Sequence, residues 1–295
     1  MRTSTKLATL LSLALLFATA RAQERFPSPE AAARALEAAT HGSGAERLAG
    51  VLGPGSEEIV SSGDPVDDAA ARRRFATAAA ERTRIERTSD AIAILHVGRN
   101  DWPFPIPILR DADGWRFDTA SGKEELLNRR IGRNEITVIE VCRAYVDAQK
   151  EFARRFHVYA QSFRSTPGKR DGLYWEATDG DVSPLGPLVA SATAEGYRQG
   201  EASEGPTPYH GYFFRILTAQ GAHAPGGARD YVKDGQMTGG FALIASPADH
   251  GSSGVMTFIV AEQGVVFQKD LGEGTREAAK AITAYDPDGS WEPSR

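Results

Sequence analysis

Cysteine is nearly absent from this 295-residue chain, since Cys142 is the only one. One cysteine excludes an internal disulfide and a thiolate metal cluster. Its place on an apolar helix face, described below, predicts a buried thiol that does not pair between chains. The six histidines lack the spacing of a helical metal site. No Gly-x-Ser-x-Gly motif occurs either, so the sequence offers no catalytic residue set.

A basic run is also missing. The chain has 34 Lys and Arg against 39 Asp and Glu, which gives a formal net charge of −5. This balance gives no sign of a basic surface that would bind nucleic acid or an anionic lipid surface. A hydrophobic content of 41% and a charged content of 25% are typical of a globular protein.

Only one long hydrophobic run is present, Leu7–Ala20, and it follows the basic residues Arg2 and Lys6. Small residues in Ala20-Arg21-Ala22 predict a signal peptide that is cleaved before Gln23. The run has about 14 residues, too few to span roughly 30 Å of hydrocarbon, although an uncleaved anchor is the alternative. We therefore expect a periplasmic or secreted protein with no lipid anchor and no integral membrane segment after cleavage.

Residues 23–130 predict an α+β domain in which helices come first and an antiparallel meander follows. Ser28-Pro29-Glu30 is typical of a helix start. The predicted helices run to Ala39, over Ala45–Leu52 and near Asp68–Ala80, with a turn-rich Glu57–Asp68 between the last two. The predicted strands are Arg82–Arg87, Ala91–Val97, Pro103–Leu109 and Trp115–Asp118.

Proline occupies every second position in the segment Trp102–Ile108. Such a strand keeps amide donors along one side only, which predicts an edge strand of the first sheet. The interleaved Phe104, Ile106 and Ile108 are predicted to be core residues. The alternative is a polyproline segment offered to an aromatic groove.

Residues 131–295 predict a second domain, in which a long helix packs on a four-stranded antiparallel sheet. The helix is predicted over Gly132–Phe163, since apolar residues recur every three or four positions. That stripe comprises Val138, Val141, Tyr145, Ala148, Phe152, Phe156, Tyr159 and Phe163, with Cys142 beside it. The predicted strands are Gly211–Leu217, Phe241–Ser246, Val255–Val260 and Val265–Lys269. The stretch Ser165–Pro208 is irregular, with Leu173-Tyr174-Trp175 as its anchor, and Thr275 is predicted to cap a last helix to Ala284.

Two resemblances follow from particular phrases. Gly132–Glu135 with the helix after it, Gly211–Ile216 and Gly254–Val266 resemble the helix and head-domain sheet of type IV pilins and pseudopilins, without the hydrophobic N-terminal half of a pilin helix. Nearly the whole mature chain resembles the bacterial family known as domain of unknown function 2950. That likeness is carried by Trp102–Pro107, Gly114–Asp118, Arg129–Glu135, Gly239–Leu243 and Asp286–Trp291. The second resemblance implies an extracytoplasmic protein and brings no activity with it.

Two groups of residues are candidate binding sites. Arg129, Arg130 and Arg133 cluster at the predicted domain junction, where they could bind an anion or could pair with nearby acids to fix the junction. Arg229, Asp230 and Tyr231 lie in a predicted exposed loop, Ala219–Gly240, which is either a recognition loop or a simple excursion between strands.

Two further patterns have a functional interpretation and a local one. Asp179 with Asp181, and Asp286 with Asp288, could hold a structural Ca²⁺, or each pair could form turns in which Asp bonds its own backbone. His250 with Ser252 could belong to a hydrolytic site, or could form a turn with local hydrogen bonds.

Together these observations predict an exported soluble envelope protein that acts as a non-catalytic binding or structural module. Its predicted partner is an envelope protein or polymer, and no cofactor is expected apart from that calcium candidate. The alternative is a periplasmic hydrolase whose site assembles only in the fold.

Overall fold

The computed structural model describes residues 23–41, 45–178, 180–197 and 207–294. The predicted signal peptide and Asp179 lie outside these residues. Seven helices are described in chain order, α1 to α7: Pro29–Thr40, Ala45–Leu52, Glu57–Val60, Pro65–Glu81, Thr119–Phe156, Gly186–Glu195 and Thr275–Ala281. Together with two five-stranded antiparallel sheets, these helices confirm the predicted α+β class.

The N-terminal helices follow the predicted order. Ser28 caps α1, because its hydroxyl accepts a hydrogen bond from the amide of Ala31. The turn-rich interpretation of Glu57–Asp68 is wrong, since this stretch contains the short α3 and the start of α4. The carboxylate of Asp64 caps α4 by accepting from the amides of Val66 and Asp67, and Pro65 suits the first helical position.

The first sheet has five antiparallel strands, β1 to β5: Thr83–Arg87, Ile92–Val97, Trp102–Pro103, Ile108–Asp111 and Gly114–Phe117. Their order is β1-β2-β4-β5, and the short β3 pairs with β2 alongside β4. The predicted hairpin of β1 with β2 is confirmed, with Thr83 opposite Val97.

The proline-rich segment is an edge strand only at its start, where β3 pairs with β2 alone, and the prediction is wrong for its end. β4 lies between β2 and β5, where Ile108 pairs with both Ala93 and Phe117. Because Pro105 and Pro107 have no amide to donate, the ladder stops after β3 and resumes at β4. The predicted core role of Phe104, Ile106 and Ile108 is confirmed, since all three are buried.

Helix α5 is longer at its start than predicted and shorter at its end. It runs for 38 residues, from Thr119 to Phe156. The next residue, His157, caps the helix and has a left-handed φ of +59°. The predicted start at Gly132 is therefore wrong, because the first turns carry few apolar residues to mark a helical stripe. The predicted division at residues 130 and 131 falls inside this helix, which is shared by both halves of the chain.

The second sheet also has five antiparallel strands. Nine strands are described in this half, β6 to β14: Tyr212–Leu217, Ala219–Gln220, Arg229–Asp230, Val232–Lys233, Gln236–Met237, Ala242–Pro247, Met256–Ala261, Val266–Asp270 and Glu292–Pro293. The main sheet has the order β14-β13-β12-β11-β6. The four predicted strands are confirmed as β6, β11, β12 and β13, and β14 adds an edge strand.

The described residues form two hydrophobic cores. One lies between the N-terminal helices and the first sheet. The other lies between α5 and the second sheet, where Val138, Cys142, Tyr145, Ala148 and Phe152 are all buried. The predicted stripe and the buried thiol are thus confirmed, although Tyr159 and Phe163 pack against this core from beyond the helix end.

Two smaller predictions in this half have mixed outcomes. Leu173 and Trp175 are buried and anchor the irregular stretch, as expected. That stretch also contains α6, which was not predicted. Thr275 is the first residue of α7 and Gly274 is its cap, so the predicted capping role of Thr275 is wrong.

Candidate functional site

A cleft of about 600 Å³ opens in the N-terminal half, between helices α1, α2 and α4, the first sheet and the first turns of α5. Its floor is apolar, with Leu36, Leu52, Phe75, Trp102 and Phe104 among the lining residues. Small-molecule sites usually have this size and this predominantly apolar lining. The cleft is therefore the strongest candidate for a binding site in the described residues.

Aromatic rings hold the shape of the floor. The ring centroids of Phe75 and Phe104 are 5.5 Å apart in an edge-to-face arrangement, and those of Trp102 and Phe104 are 6.0 Å apart. Phe104 also meets the buried ring of Phe117 in the same way, at 6.2 Å. Such contacts fix the rings in one geometry, so the floor is preformed.

The rim of the cleft is strongly basic. Six arginines line it against two acids, Asp68 and Glu81, in a chain whose overall charge is negative. The arginines come from three places: Arg72 and Arg74 from α4, Arg99 from the turn after β2, and Arg129, Arg130 and Arg133 from α5. All three arginines of the predicted cluster therefore reach one site.

Arg129 is held at the rim by two contacts. Its guanidinium carbon lies 5.5 Å from the ring centroid of Trp102, and its Nε donates to Glu125 at 2.6 Å. The first is a cation–π contact and the second an ion pair within one helix. Because Glu125 lies on the same helix, this pair does not join the two halves, and the predicted fixing of the junction by such pairs stays a prediction.

Arg130 joins the two halves through uncharged oxygens. Its guanidinium donates to the carbonyl of Glu58 at 2.6 Å, to the carbonyl of Ile59, and to the hydroxyl of Ser252 at 3.4 Å. Burial lowers its pKa, and the negative charges of Asp68 and Asp67 oppose that effect. An arginine with so high an ordinary pKa stays protonated, so its positive charge remains at the cleft.

Arg72 and Arg133 differ from the other arginines of the rim in the part of the chain that the structure describes. Among the described residues, neither has a carboxylate oxygen within 4.0 Å of its guanidinium nitrogens. The carboxylate of Asp68 accepts one hydrogen bond from the amide of Ser62, shared between its two oxygens at 3.2 and 3.0 Å, and its charge acts on Arg130. Burial raises the pKa of Asp68. The arrangement can therefore attract an anion while it shields an apolar group from water.

The second candidate group divides between surface and core. Arg229 and Asp230 are exposed on β8, which pairs with β7. Tyr231 is only 1% exposed, and its hydroxyl donates to Gln220 at 3.0 Å. The expectation that Tyr231 lies on an exposed recognition loop is therefore wrong, because its ring fills the second core.

The calcium candidates have protein donors on their carboxylates. Asp286 accepts from the backbone amide of His223 at 2.7 Å and contacts the ring Nδ1 of the same residue at 3.0 Å. Asp288 accepts from the amide of Ser290 at 2.9 Å, and Asp181 pairs with Arg170. In the part of the chain that the structure describes, no three His, Cys, Asp or Glu side chains are placed to hold a metal. Calcium at Asp286 and Asp288 stays an untested prediction.

His250 and Ser252 face different partners. The Nε2 of His250 lies 2.8 Å from Asp270, whereas the hydroxyl of Ser252 lies 3.3 Å from the carbonyl of Glu58 and is 2% exposed. No hydrogen bond joins the two side chains within the described ranges. Their segment is a tight turn closed by the bridge between His250 and Gly254.

Comparison with known proteins identifies the family. The model of the family described as "Protein of unknown function (DUF2950)" matches residues 23–293, nearly the whole chain. The chain belongs to this family. No curated protein and no solved structure matches the DUF2950 chain. The resemblance of its second half to pilins therefore stays a prediction.

Sequence reasoning found part of this site in the DUF2950 chain and missed the rest. Arg129, Arg130 and Arg133 stood out because they are close together in the sequence. Arg72 and Phe75 were not recognised, although they lie three residues apart on a helix and so share a face. Trp102 is predicted only as a strand residue and Phe104 only as a core residue of a strand, since their approach to α5 depends on the tertiary fold.

Proposed function

We propose that this DUF2950 protein is an exported, non-catalytic binding protein of the bacterial cell envelope and that the arginine-rimmed cleft is its ligand site. The observation that carries the proposal is the combination of a preformed apolar floor with a basic rim in an acidic chain. A site of this kind holds a ligand by burying its apolar part and pairing its charge.

Export is supported by the arrangement of the N-terminus. The apolar run Leu7–Ala20 precedes the predicted cleavage point, and the family match starts at Gln23. The side chain of Gln23 donates to the carbonyl of Leu52 at 2.8 Å and to that of Phe117 at 2.7 Å. Within the described residues, no helix has the length and apolar character needed to cross a bilayer. A periplasmic or secreted location fits these features.

Binding is favoured over catalysis by the chemistry of the lining. Among the described residues that line the cleft, none is a histidine, cysteine or serine. Its two acids are engaged, Asp68 by the amide of Ser62 and Glu81 by Arg99 at 3.7 Å. A hydrolase needs a nucleophile and a base within hydrogen-bond reach, and His250 and Ser252 do not meet that requirement.

The second half of the chain serves as the scaffold for the cleft in this proposal. Helix α5 carries Arg129, Arg130 and Arg133 at its start and packs on the second sheet further along. Long-range packing of the helix thus holds three rim arginines in place. An envelope protein or polymer, expected from the sequence, remains the alternative occupant that the experiment below can reveal.

Native mass spectrometry of the protein recovered from its own cell envelope tests both parts of the proposal. We expect an intact polypeptide that starts at Gln23 and carries a non-covalent organic ligand. A polypeptide that retains residues 1–22 in every fraction contradicts export. A polypeptide from the envelope that carries no bound mass under any gentle ionisation condition contradicts the binding function.

A further inference from the structure

The lining of the cleft also selects a ligand class. We infer that it takes a single-chain fatty acid, with the alkyl chain on the aromatic floor and the carboxylate among the rim guanidinium groups. This inference rests on the proposed binding function and adds the chemistry of the ligand to it.

The floor excludes ligands whose buried part is polar. Leu36, Leu52, Phe75 and Phe104 offer no hydrogen-bond donor or acceptor in their side chains. A peptide or a sugar polymer placed there would bury amide or hydroxyl groups without partners, which is costly. An alkyl chain has no such groups, and each buried methylene is worth about 0.8 kcal/mol, or roughly a fourfold gain in affinity.

The rim determines the charge of the other end. Arg74, Arg99 and Arg129 are paired with Asp67, Glu81 and Glu125. Arg72 and Arg133 have no such partner among the described residues. A carboxylate can accept two parallel hydrogen bonds from a guanidinium group, a geometry that a neutral alcohol cannot reproduce. The unpaired arginines thus favour an anionic head over a neutral one.

The acids of the cleft do not oppose this arrangement. The negative charge of Asp68 is offset by the positive charge of Arg130, which also lines the cleft, and Glu81 lies 3.7 Å from Arg99. The size of the cleft, about 600 Å³, lies within the usual range for one small molecule. A single alkyl chain suits that volume better than a two-chain lipid does.

A displacement assay with matched ligands tests the inference. The uncharged dye N-phenyl-1-naphthylamine, which fluoresces in apolar sites, is bound to the purified protein. It is then displaced with dodecanoate below its critical micelle concentration or with dodecanol below its solubility limit. We expect dodecanoate to displace the dye at a concentration about tenfold lower than dodecanol does, because the charge-assisted bonds are lost in the alcohol. Added salt should bring the displacing concentrations of dodecanoate and dodecanol closer together.

Two sets of variants test whether the rim arginines cause the difference between dodecanoate and dodecanol. The double variant Arg72→Gln with Arg133→Gln should weaken dodecanoate binding about tenfold and leave dodecanol binding unchanged within about twofold. Arg143→Gln is the matched control, since Arg143 is exposed on α5, the helix that carries Arg133, and does not line the cleft. A melting curve for each variant establishes that the fold is retained.

The outcomes separate this inference from the proposed function. If the dye binds but dodecanol displaces it as well as dodecanoate does, or if neither displaces it, the fatty-acid inference is wrong and the cleft remains a binding site. If the dye does not bind at all, the proposed function itself fails. If the protein binds phosphatidylglycerol vesicles but not monomeric dodecanoate, the charge recognises a membrane surface, and the inference is again wrong.

Discussion

The carboxylate of Asp64 accepts a 2.8 Å hydrogen bond from the hydroxyl of Tyr197, 133 residues further along the chain. The same oxygen accepts a second 2.8 Å bond from the amide of Gly211, while the other oxygen caps α4. Asp64 has no solvent exposure. One buried carboxylate therefore starts a helix of the first half and fastens two segments of the second half to it.

Replacement of Asp64 with alanine should destabilise the protein strongly. Four buried or partly buried donors lose their acceptor, and each unsatisfied group costs about 1–3 kcal/mol. We expect a loss of roughly 3–5 kcal/mol in the free energy of unfolding, measured by urea denaturation. Asp90→Ala is the control, because Asp90 is exposed at a hairpin turn and should change stability by less than about 0.5 kcal/mol. A loss below about 1 kcal/mol for Asp64→Ala would contradict the anchoring role.

Gly211 has a left-handed backbone and close neighbours, and both features should make its replacement by alanine costly. A second glycine with the same backbone but no close neighbours separates the two costs. Gly211 and Gly227 share a φ of +74°. A Cβ on Gly211 would lie 2.8 Å from the Cβ of Ser253 and 2.9 Å from Nδ2 of Asn134, whereas a Cβ on Gly227 meets nothing within 4 Å. We expect Gly227→Ala to cost about 1 kcal/mol for the backbone alone. Gly211→Ala should cost about 1–3 kcal/mol more, because of the overpacking. Equal melting temperatures for the two variants would mean that the junction is not tightly packed.

Two glycines of α5 should respond to the same substitution with opposite signs. Alanine is favoured over glycine in a helix by about 1 kcal/mol. Gly132 has open space for a Cβ, so Gly132→Ala should raise stability by about that amount. A Cβ on Gly122 would lie 2.5 Å from the carbonyl oxygen of Pro105 and 2.6 Å from the Cα of Ile106. Gly122→Ala should therefore lower stability by about 1–3 kcal/mol. Thermal unfolding of both variants measures the signs, and a stabilised Gly122→Ala would contradict the close contact of α5 with the proline-rich segment.

Cys142 should be unreactive in the native protein. Its side chain is fully buried against the second sheet, and burial raises the pKa of the thiol to about 12. The thiolate is the reactive form, so an aromatic disulfide reagent at neutral pH should label the protein only as fast as it unfolds. Labelling at graded urea concentrations tests this, with free cysteine as the reference. Rapid labelling without denaturant would show that α5 does not cover the thiol.

The secondary structure was predictable where a strong pattern reports it. The apolar stripe through Val138 and Phe152 predicted a helix on a sheet, and the four main strands of that sheet were confirmed. Helix α6 was missed because it is short and its apolar residues Leu188 and Val189, which pack against the second core, are too few to mark a helical stripe. Helix α3 has only four residues, too few for a period. The edge-strand prediction holds only for β3, which pairs with β2 alone, since the chain returns to the centre of the sheet at Ile108 in β4.

The candidate site was predictable only where its residues are close in sequence. Arg129, Arg130 and Arg133 lie within five positions, so their cluster was visible. The contact of Arg129 with Trp102, and the meeting of the cluster with Arg72 at one cleft, result from the packing of α4 and α5 around the first sheet. The bond between Asp64 and Tyr197 was likewise invisible, because neither residue belongs to a periodic pattern. Tyr231 was misassigned because its polar neighbours Arg229 and Asp230 made the segment look wholly exposed.

Filling the cleft with a large side chain is the most direct test of whether the cleft binds a ligand. Ala71 lines the cleft on α4, whereas Ala80 is exposed on the same helix and does not line it. Equilibrium titration with N-phenyl-1-naphthylamine compares the unmodified protein with Ala71→Trp and Ala80→Trp, after melting curves have established that both variants are folded. We expect saturable binding of the dye to the unmodified protein and to Ala80→Trp, and loss of that binding in Ala71→Trp. Equal binding by all three proteins, or no binding by any of them, would contradict a ligand site in this cleft.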